Sequence, residues 1–358
     1  MNLNWQPTLY GAKLLLRPLD ENDFETLYQV ASDPLIWEQH PDRERYTRER
    51  FQQYFRSGMS SKVALAICDL STGQIIGSSR FADHDPSQSS VEIGYTFLSR
   101  PYWGGGYNQE LKTLMLNYAF RFVETVFFFV GDKNFRSQKA MQKIGGLEVE
   151  RVLRPQASLA PALSVIYEMK KSTWKDELNK ITFVQPELST SRLALDPITE
   201  AHAEELWELF NDPLLHEYVP FEHLTLAKQK ERFARWARRR SPDGKELWLN
   251  WVGREKQTRK AMAHFQAGIR SDGIASIGYL VARDFQRKQF AFEGLQALFQ
   301  YLSEHLFVRE VKAWCDTRNL ASQNLAKKLG MVQIDFIEDA DRFGGSMSDE
   351  YVYSKILR

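Results

Sequence analysis

The chain contains an internal repeat, and this repeat constrains the fold more than any other feature of the sequence. Residues 17–41, RPLDENDFETLYQVASDPLIWEQHP, align with residues 196–220, DPITEAHAEELWELFNDPLLHEYVP, so that two prolines and an Asp-Pro-Leu triplet coincide. Two further segments recur: IGY at 93–95 and 277–279, and NFRSQKAMQKIGG at 134–146 as NLASQNLAKKLGM at 319–331. The three offsets, 179, 184 and 185 residues, are nearly equal, and the sequence therefore indicates a tandem duplication.

Each copy shows the same order of predicted elements. A short apolar strand, KLLLRPL or RLALDPI, precedes two amphipathic helices and a β-hairpin, which in the first copy is VALAICDL-STG-QIIGSSRF. A strand ending in IGY, a helix of about 15 residues, another strand, a short helix and two closing strands follow. This alternation predicts the mixed α/β class.

The length of the chain agrees with two domains. A chain of 358 residues is long for one ordinary domain, and its apolar fraction of 43% supplies side chains for two cores. The repeat predicts a first domain over residues 1–175 and a second over residues 185–358. The linker is expected in the polar region 170–187, where the pattern of strands and helices lapses.

Charge and cysteine content exclude several classes of protein. The 47 Lys and Arg residues nearly balance 46 Asp and Glu residues, which argues against a nucleic-acid partner. Cys68 and Cys315 alone cannot build a disulfide scaffold, and no zinc-type spacing occurs, so we expect a reducing compartment and no metal. The N-terminal segment lacks a signal-peptide pattern, and no apolar run approaches about 18 residues. We therefore expect a cytoplasmic protein without a membrane partner.

Three consecutive glycines lie in PYWGGGYNQE, residues 101–110, immediately before the long predicted helix. Glycine in a helical turn costs up to about 1 kcal/mol of stability relative to alanine, so three consecutive glycines need an explanation. One alternative is a tight surface loop that needs positive φ angles. The other is an anion cradle, in which backbone N–H groups and the helix N-terminus bind a phosphate. The loop by itself is compatible with both.

Three motifs in order carry a family resemblance: EIGY at 92–95, W-G-x-G-Y-x-x-E at 103–110, and N-x-x-S followed by K-x-G within 134–145. Together they resemble the GNAT superfamily of acetyl-CoA-dependent N-acetyltransferases, above all its ribosomal-protein N-terminal acetyltransferase branch. The resemblance covers most of residues 8–170 and, more faintly, residues 186–358. It implies acetyl-CoA as cofactor and two tandem domains, each with a central, mostly antiparallel mixed sheet flanked by helices.

The resemblance also implies which residues bind coenzyme A. Asn134 is expected to bond the pantetheine arm, and backbone amides near Phe97 and Leu98 to hold the thioester carbonyl. Pro101 stands where family members usually have Gln or Arg. The pyrophosphate is expected on the loop formed by Trp103, Gly104, Gly105, Gly106, Tyr107 and Asn108.

Acetyl transfer needs a neutral amine and a proton for the departing thiolate. Glu92 matches the strand carboxylate of the family that takes the ammonium proton, and the alternative is an edge-strand Glu that faces solvent. Met141 occupies the position at which many family members have a Tyr acid. Ser137 matches the serine that serves in the ribosomal branch, and it is equally compatible with an N-cap of the following helix.

The acceptor site is expected near residues 36–46, IWEQHPDRERY. Trp37, Glu38 and His40 are the candidate substrate-binding residues, and Glu38 and Asp42 suit a cationic amine. Each also fits an ordinary surface or core position. The acceptor, a small-molecule amine or a protein N-terminus, is not specified by the sequence.

The second copy departs from the first where the chemistry is expected. Gln286-Arg287-Lys288-Gln289 aligns with the glycine loop, and Ser276 aligns with Glu92. Long side chains in the loop would block a pyrophosphate, so we expect the second copy to have lost acetyl-CoA binding and to shape the acceptor site or a homodimer surface. A non-catalytic acyl-CoA sensor or interaction protein is the alternative to an active first domain.

Overall fold

The computed structural model describes residues 3–156, 159–174, 182–343 and 346–358. The chain divides into two units, Met1–Phe183 and Val184–Arg358. Residues 175–181 of the predicted linker lie outside the described residues. Among the helices that the structure describes, none is both long and apolar enough to cross a membrane.

The helices and strands of both units follow the predicted order, with an additional two-residue strand at the start of each unit and three helices instead of two before the hairpin. The first unit consists of β1 Leu9–Tyr10, β2 Leu14–Pro18, α1 Phe24–Ala31, α2 Pro34–Trp37, α3 Arg48–Ser61, β3 Ala64–Asp69, β4 Ile75–Asp85, β5 Ser90–Leu98, α4 Tyr107–Ala119, β6 Thr125–Gly131, α5 Phe135–Lys143, β7 Leu147–Gln156 and β8 Leu159–Lys170. The second consists of β9 Leu188–Ser189, β10 Leu193–Pro197, α6 His202–Glu205, α7 Trp207–Asn211, α8 Leu226–Trp236, β11 Glu246–Glu255, β12 Ala261–Arg270, β13 Ile274–Val281, α9 Phe290–Glu304, β14 Glu310–Asp316, α10 Leu320–Lys328, β15 Val332–Phe343 and β16 Ser346–Ile356.

Each unit is built on one eight-stranded sheet. The strand order is β1-β2-β3-β4-β5-β6-β8-β7 in the first unit and β9-β10-β11-β12-β13-β14-β16-β15 in the second. Strands β5 and β6 run parallel, as do β13 and β14, and the other described pairs are antiparallel. The mixed α/β class with mostly antiparallel sheets is therefore confirmed, and the two copies share one topology.

The two faces of the first sheet are covered by different helices. Val91 and Ile93 belong to the core formed with α4, and we call their side of the sheet the α4 face. Ala66 and Phe97 belong to the core formed with α1, α2 and α3, and we call that side the α3 face. Because successive strand residues point to opposite faces, Glu92 lies on the α3 face.

The strand that contains IGY is longer than expected. The sequence predicted an end at Tyr95, but β5 continues beyond it. Ser78 of β4 lies opposite Phe97, whereas Arg80 lies opposite Gly94, so β5 has one extra residue between these pairs. Tyr95, with a φ of +55°, lies in this β-bulge. The bulge accommodates the extra residue, and pairing with β4 then resumes.

Strands β5 and β6 separate after a short parallel contact. Their pairing covers three residue pairs and ends with Glu92 opposite Phe127. Both described strands continue beyond this point without pairing to each other. We call the space between the diverging ends the β5–β6 gap.

Candidate active site

The loop of Gly104, Gly105 and Gly106 leads into the first turn of α4. Gly104 and Gly106 have φ angles of +79° and +81°, a region that residues with side chains rarely adopt. Gly106 is the N-cap of α4 and supplies no side-chain cap to the first N–H groups of the helix. A Cβ atom on Gly104 would meet no other heavy atom within 4 Å. The positive φ angles favour glycine, and the loop also borders open space, so the two alternatives from the sequence are compatible with each other.

Lys13 adds a positive charge to this loop and was missed by the sequence analysis. Its Nζ donates to the Gly105 carbonyl at 2.9 Å and lies 5.0 Å from the ring centroid of Tyr107. Glu110 fixes this position, because its Oε1 accepts from the backbone N–H groups of Lys13 and Leu14 at 2.8 and 3.0 Å. A signal was present in the repeat, since a basic residue and a Glu recur at the corresponding positions of the second copy.

Trp103 connects the glycine loop to the ends of two other elements. Its Nε1 donates to the Leu98 carbonyl at 2.9 Å, at the end of β5. The guanidinium of Arg136 lies 4.4 Å from the Trp103 ring centroid and donates to the Leu35 carbonyl at 3.2 Å. Arg136 is in the first turn of α5, so these contacts bring the beginning of α5 close to the loop.

The structure assigns the helix cap differently from the sequence. Helix α5 begins at Phe135, and its N-cap is Asn134, whose Oδ1 accepts from the Ser137 backbone N–H at 3.2 Å. The alternative in which Ser137 is the N-cap was therefore wrong. Asn has the side-chain acceptor that an N-cap requires and precedes the helix, whereas Ser137 lies within the first turn.

Glu92 is buried in the middle of the sheet. It is 3% exposed and lies on β5, which has neighbours on both sides, so the alternative of an edge-strand Glu facing solvent was wrong. Arg154 of β7 donates to Oε1 at 2.9 Å and also contacts Oε2, and its guanidinium lies 4.1 Å from the Phe129 ring centroid. Burial raises the pKa of Glu92, while the hydrogen bonds and charge of Arg154 act in the opposite direction. The carboxylate is thus buried and held in one orientation by Arg154.

A buried lysine lies on the α4 face beside the same gap. Lys112 is 3% exposed, and its Nζ donates to Thr96 Oγ1 at 2.7 Å. The Thr96 hydroxyl is also 2.7 Å from Ser79 Oγ, and Lys112 Nζ lies 5.4 Å from the ring centroid of Phe128 on β6. Burial lowers the pKa of Lys112 to about 7, and the charge of Glu92 opposes this shift. Lys112 was not among the residues expected from the sequence, although a lysine among apolar helix positions was a usable signal.

A family model described as an acetyltransferase (GNAT) domain matches residues 13–146 and again residues 192–332. The chain belongs to the GNAT acetyltransferase family. The resemblance inferred from the motifs is confirmed, and both copies of the repeat are GNAT domains. The protein is an N-acetyltransferase, and GNAT acetyltransferases use acetyl-CoA, as expected.

Curated proteins and solved structures are similar to parts of the chain. The uncharacterized N-acetyltransferase p20 of Bacillus licheniformis is 24% identical over 171 residues, 48% of this chain and 96% of that protein. The uncharacterized N-acetyltransferase YnaD of Bacillus subtilis strain 168 is 30% identical over 78 residues, 22% of this chain and 46% of that protein. A GNAT acetyltransferase from Bacillus anthracis has 18% identity and a TM-score of 0.43, covering 48% of this chain and 99% of its own. A ribosomal-protein-S5-alanine acetyltransferase from Vibrio fischeri has 16% identity and a TM-score of 0.44, covering 48% and 97%.

The predicted acceptor residues of the first GNAT domain differ in exposure. Trp37 is 3% exposed and packs against Phe97, with ring centroids 5.2 Å apart. Its Nε1 donates to the Ala31 carbonyl at 2.7 Å, so the residue is part of the core on the α3 face. Glu38, the next residue, is exposed to solvent.

The side chains of His40 and Asp42 both contact a neighbouring arginine. Arg45 Nη1 lies 3.3 Å from His40 Nε2, and Arg45 Nε lies 3.6 Å from an Asp42 carboxylate oxygen. Burial and the charge of Arg45 lower the pKa of His40 to about 3, so the ring is neutral at neutral pH. The Asp42 carboxylate already has a cationic neighbour, and of the two acids named from the sequence, Glu38 is the one that faces solvent.

The second GNAT domain keeps the backbone of the loop but not its glycines. Arg287 and Gln289 have φ angles of +60° and +69°, in the same region as Gly104 and Gly106. The side chain of Gln289 reaches α10, where it is hydrogen-bonded to Lys328. Side chains therefore extend from the part of the loop that is open in the first domain.

The second domain also lacks the bulge. Strands β12 and β13 pair without a register shift from Ala263 opposite Val281 to Ile269 opposite Ala275. Tyr279, the tyrosine of the second IGY, faces α10, and its hydroxyl is 2.8 Å from Ser322 Oγ. This side chain spans the distance from β13 to α10, beside the end of the parallel pairing between β13 and β14.

Proposed function

We propose that the first domain transfers the acetyl group of acetyl-CoA to a primary amine by direct attack of the amine on the thioester carbonyl. The observation that carries the proposal is the combination, in this domain, of an open glycine loop, the β5–β6 gap and the buried carboxylate of Glu92. In the second domain the loop bears long side chains, and Ser276 stands in place of the carboxylate.

The loop fits the charge and shape of a pyrophosphate. The N–H groups from Gly104 to Asn108 precede or begin α4, where the helix dipole favours an anion. Lys13 adds a full positive charge, and no acidic residue occurs between Arg100 and Gln109. We therefore assign the pyrophosphate to the backbone of this loop, flanked by Trp103 and Tyr107.

The remainder of coenzyme A is assigned to the gap. Asn134 Oδ1 holds the Ser137 N–H, which leaves the side-chain amide of Asn134 as the donor to the pantetheine arm. The backbone amides of Phe97 and Leu98 follow the bulge and are assigned to the thioester carbonyl, where donors aimed at a developing negative charge accelerate acyl transfer. Acetyl-CoA supplies the activated acetyl group.

Glu92 is assigned the role of the general base. Its raised pKa makes the carboxylate a better proton acceptor, while the ion pair with Arg154 favours the ionised form that can accept. Both Glu92 oxygens bond to Arg154, so we route the ammonium proton to the carboxylate through a water. For the proton that the thiolate needs, the family resemblance implies Ser137, in the first turn of α5, as the candidate donor.

The second domain is assigned no acetyl-CoA site. The side chain of Gln289 extends from its loop, and Tyr279 contacts Ser322 beside the corresponding strand pair. We propose that this domain is retained to shape the acceptor site or a dimer surface. The acceptor is a primary amine, either a small molecule or a protein N-terminus.

A screen of acceptors tests the proposed function. The full chain is incubated with acetyl-CoA and a panel of small amines and N-terminal peptides, thiol release is recorded, and mass spectrometry identifies the product. We expect amine-dependent thiol release that the Glu92→Gln variant largely loses. Tight acetyl-CoA binding without turnover of any amine would instead assign the chain to the non-catalytic sensors and contradict the proposal.

A further inference from the structure

We propose that Lys112 is the acid of the first domain, delivering a proton to the coenzyme A sulfur as the acetyl group leaves. The inference rests on the proposed function, because it concerns the same gap and the same thioester. It names a residue to which neither the motifs nor the family resemblance assigns a role.

The position of Lys112 is the first argument. The residue reaches from α4 to Thr96 on β5 and to Phe128 on β6, with distances of 2.7 Å to the hydroxyl and 5.4 Å to the ring centroid. Thr96 and Phe128 both lie beyond the last paired residues of the two strands. The ammonium therefore lies beside both diverging strands, at the β5–β6 gap to which the thioester is assigned.

The second domain shows that the fold does not need a lysine here. Glu110 and Glu293 make the same contact with the turn before the second strand of their domains, which aligns α4 with α9 and places Leu295 at the position of Lys112. Leu295 is 1% exposed, so a leucine fills this position in an intact core. The partner hydroxyls are replaced as well, because Phe265 and Tyr279 are paired where Ser79 and Thr96 bond in the first domain. Strands β13 and β14 also separate after three residue pairs, so what the second copy lacks is the lysine and its hydroxyl partners, and Tyr279 extends beside the separation instead.

The surroundings of Lys112 suit a group that releases a proton. Thr96 and Ser79 are neutral, and Phe128 is apolar, so Glu92 is the charged group that acts on the ammonium among the described residues. Burial destabilises the charged form and lowers the pKa to about 7, which makes proton donation and recovery accessible near neutral pH. A serine hydroxyl is a far weaker acid than a thiol, so Ser137 alone is a poor source of this proton.

The step balances in atoms and charge. The amine nitrogen forms a bond to the acetyl carbon, the carbon–sulfur bond breaks, and the sulfur keeps the electron pair. Lys112 Nζ gives its proton to that sulfur and becomes neutral, while the protons lost by the amine leave through Glu92 and water. One proton from solvent restores the ammonium of Lys112, and the net reaction releases one proton for each acetyl group transferred to an acceptor that starts as an ammonium.

The test compares Lys112→Met with three variants of the full chain. Lys112→Arg keeps a charge that cannot be released near neutral pH, Ser137→Ala removes the other candidate donor, and Lys139→Met removes an exposed lysine of α5 as a matched control. We expect kcat to fall by about 100-fold or more in both Lys112 variants, with the acetyl-CoA dissociation constant changed by less than about threefold. Calorimetric titration with acetyl-CoA also establishes that each variant is folded. Normal kcat in Lys112→Met, or full recovery in Lys112→Arg, would overturn the proposal.

A second measurement separates an acid from a nucleophile. The wild-type chain is incubated with acetyl-CoA in the absence of an acceptor, and its peptides are analysed by mass spectrometry. An acid is not consumed, so we expect no acetyl group on Lys112, whereas stoichiometric acetylation there would replace the proposal by a covalent route. If the wild type turns over no amine at all, the proposed function fails first, and the role of Lys112 fails with it.

Discussion

Burial of Lys112 predicts that the stability of the first unit depends on pH in a specific direction. A lysine amine in an unfolded chain has a pKa near 10.4, and burial lowers it to about 7 in the folded protein. Between these values the folded state binds fewer protons than the unfolded state. The free energy of unfolding therefore rises with pH, by up to about 1.4 kcal/mol per pH unit. The destabilisation caused by the buried ammonium is largest at the acid end of this pH range.

The size of the effect follows from the same two values. Integration from about pH 6.5 to 8.5 gives a gain of about 2 kcal/mol for the wild-type chain. Lys112→Met carries no titrating group at this position and lacks this contribution. We expect the variant to be more stable than the wild type at the lower pH, and the difference to shrink by about 2 kcal/mol at the higher pH.

Hydrogen exchange followed by mass spectrometry measures this difference for each unit separately, which matters because a chain of two units need not unfold in one step. Peptides from β5 and β6 report on the first unit, and peptides from β13 and β14 serve as an internal control within the same sample. Intrinsic exchange rates are corrected for pH. Equal pH dependence of wild type and variant in the β5 and β6 peptides would show that Lys112 is not a buried titrating group, and the reasoning would be refuted.

Three further predictions concern the cofactor and the base. Gly106→Val should abolish detectable acetyl-CoA binding in calorimetry. The control Gly73→Val, at a hairpin glycine with a φ of +70° and no heavy atom within 4 Å of its Cβ position, should bind acetyl-CoA normally. Equal binding by the two variants would contradict the loop assignment. Glu92→Gln should lower kcat by about 100-fold or more at neutral pH with the affinity for acetyl-CoA preserved. The loss of kcat should become smaller as pH rises, because the amine then loses its proton without a base. Normal turnover by this variant would assign the base to another group. The full chain should bind one coenzyme A, and a titration showing two equivalent sites per chain would disprove the loss of the second site.

The duplicated pattern was sufficient to predict the fold class of both units. Hydrophobic periodicity and turn residues are local signals, so the order of strands and helices could be obtained without knowledge of tertiary contacts. The hairpin of β3 and β4 formed as expected around Gly73, and the long helix began directly after Gly106. The glycine loop could be located for the same reason.

The environment of Glu92 could not be predicted from local signals. Arg154 is separated from Glu92 by 62 residues, and the two meet because the sheet order brings β7 close to β5 across β8 and β6. The burial of Glu92 depends on the central position of β5, which the hydrophobic pattern does not specify. The extra residue of the bulge is visible in the sequence. The offset between the two copies is 184 residues at Ile93 and Ile277 but 183 at Glu110 and Glu293, so the first copy has one more residue between these positions.

This difference of one residue reverses the phase of a strand. In the first domain Tyr95 of IGY lies over Arg80 on the α3 face, with 4.1 Å between guanidinium and ring centroid, whereas Tyr279 of the identical triplet contacts α10 on the opposite side of its sheet. Two tyrosines in the same alignment column thus occupy different places in space, one against Arg80 of β4 and the other against Ser322 of α10. The loss or gain of a single codon in a duplicated gene is therefore enough to move the tyrosine of this triplet from one face of the sheet to the other.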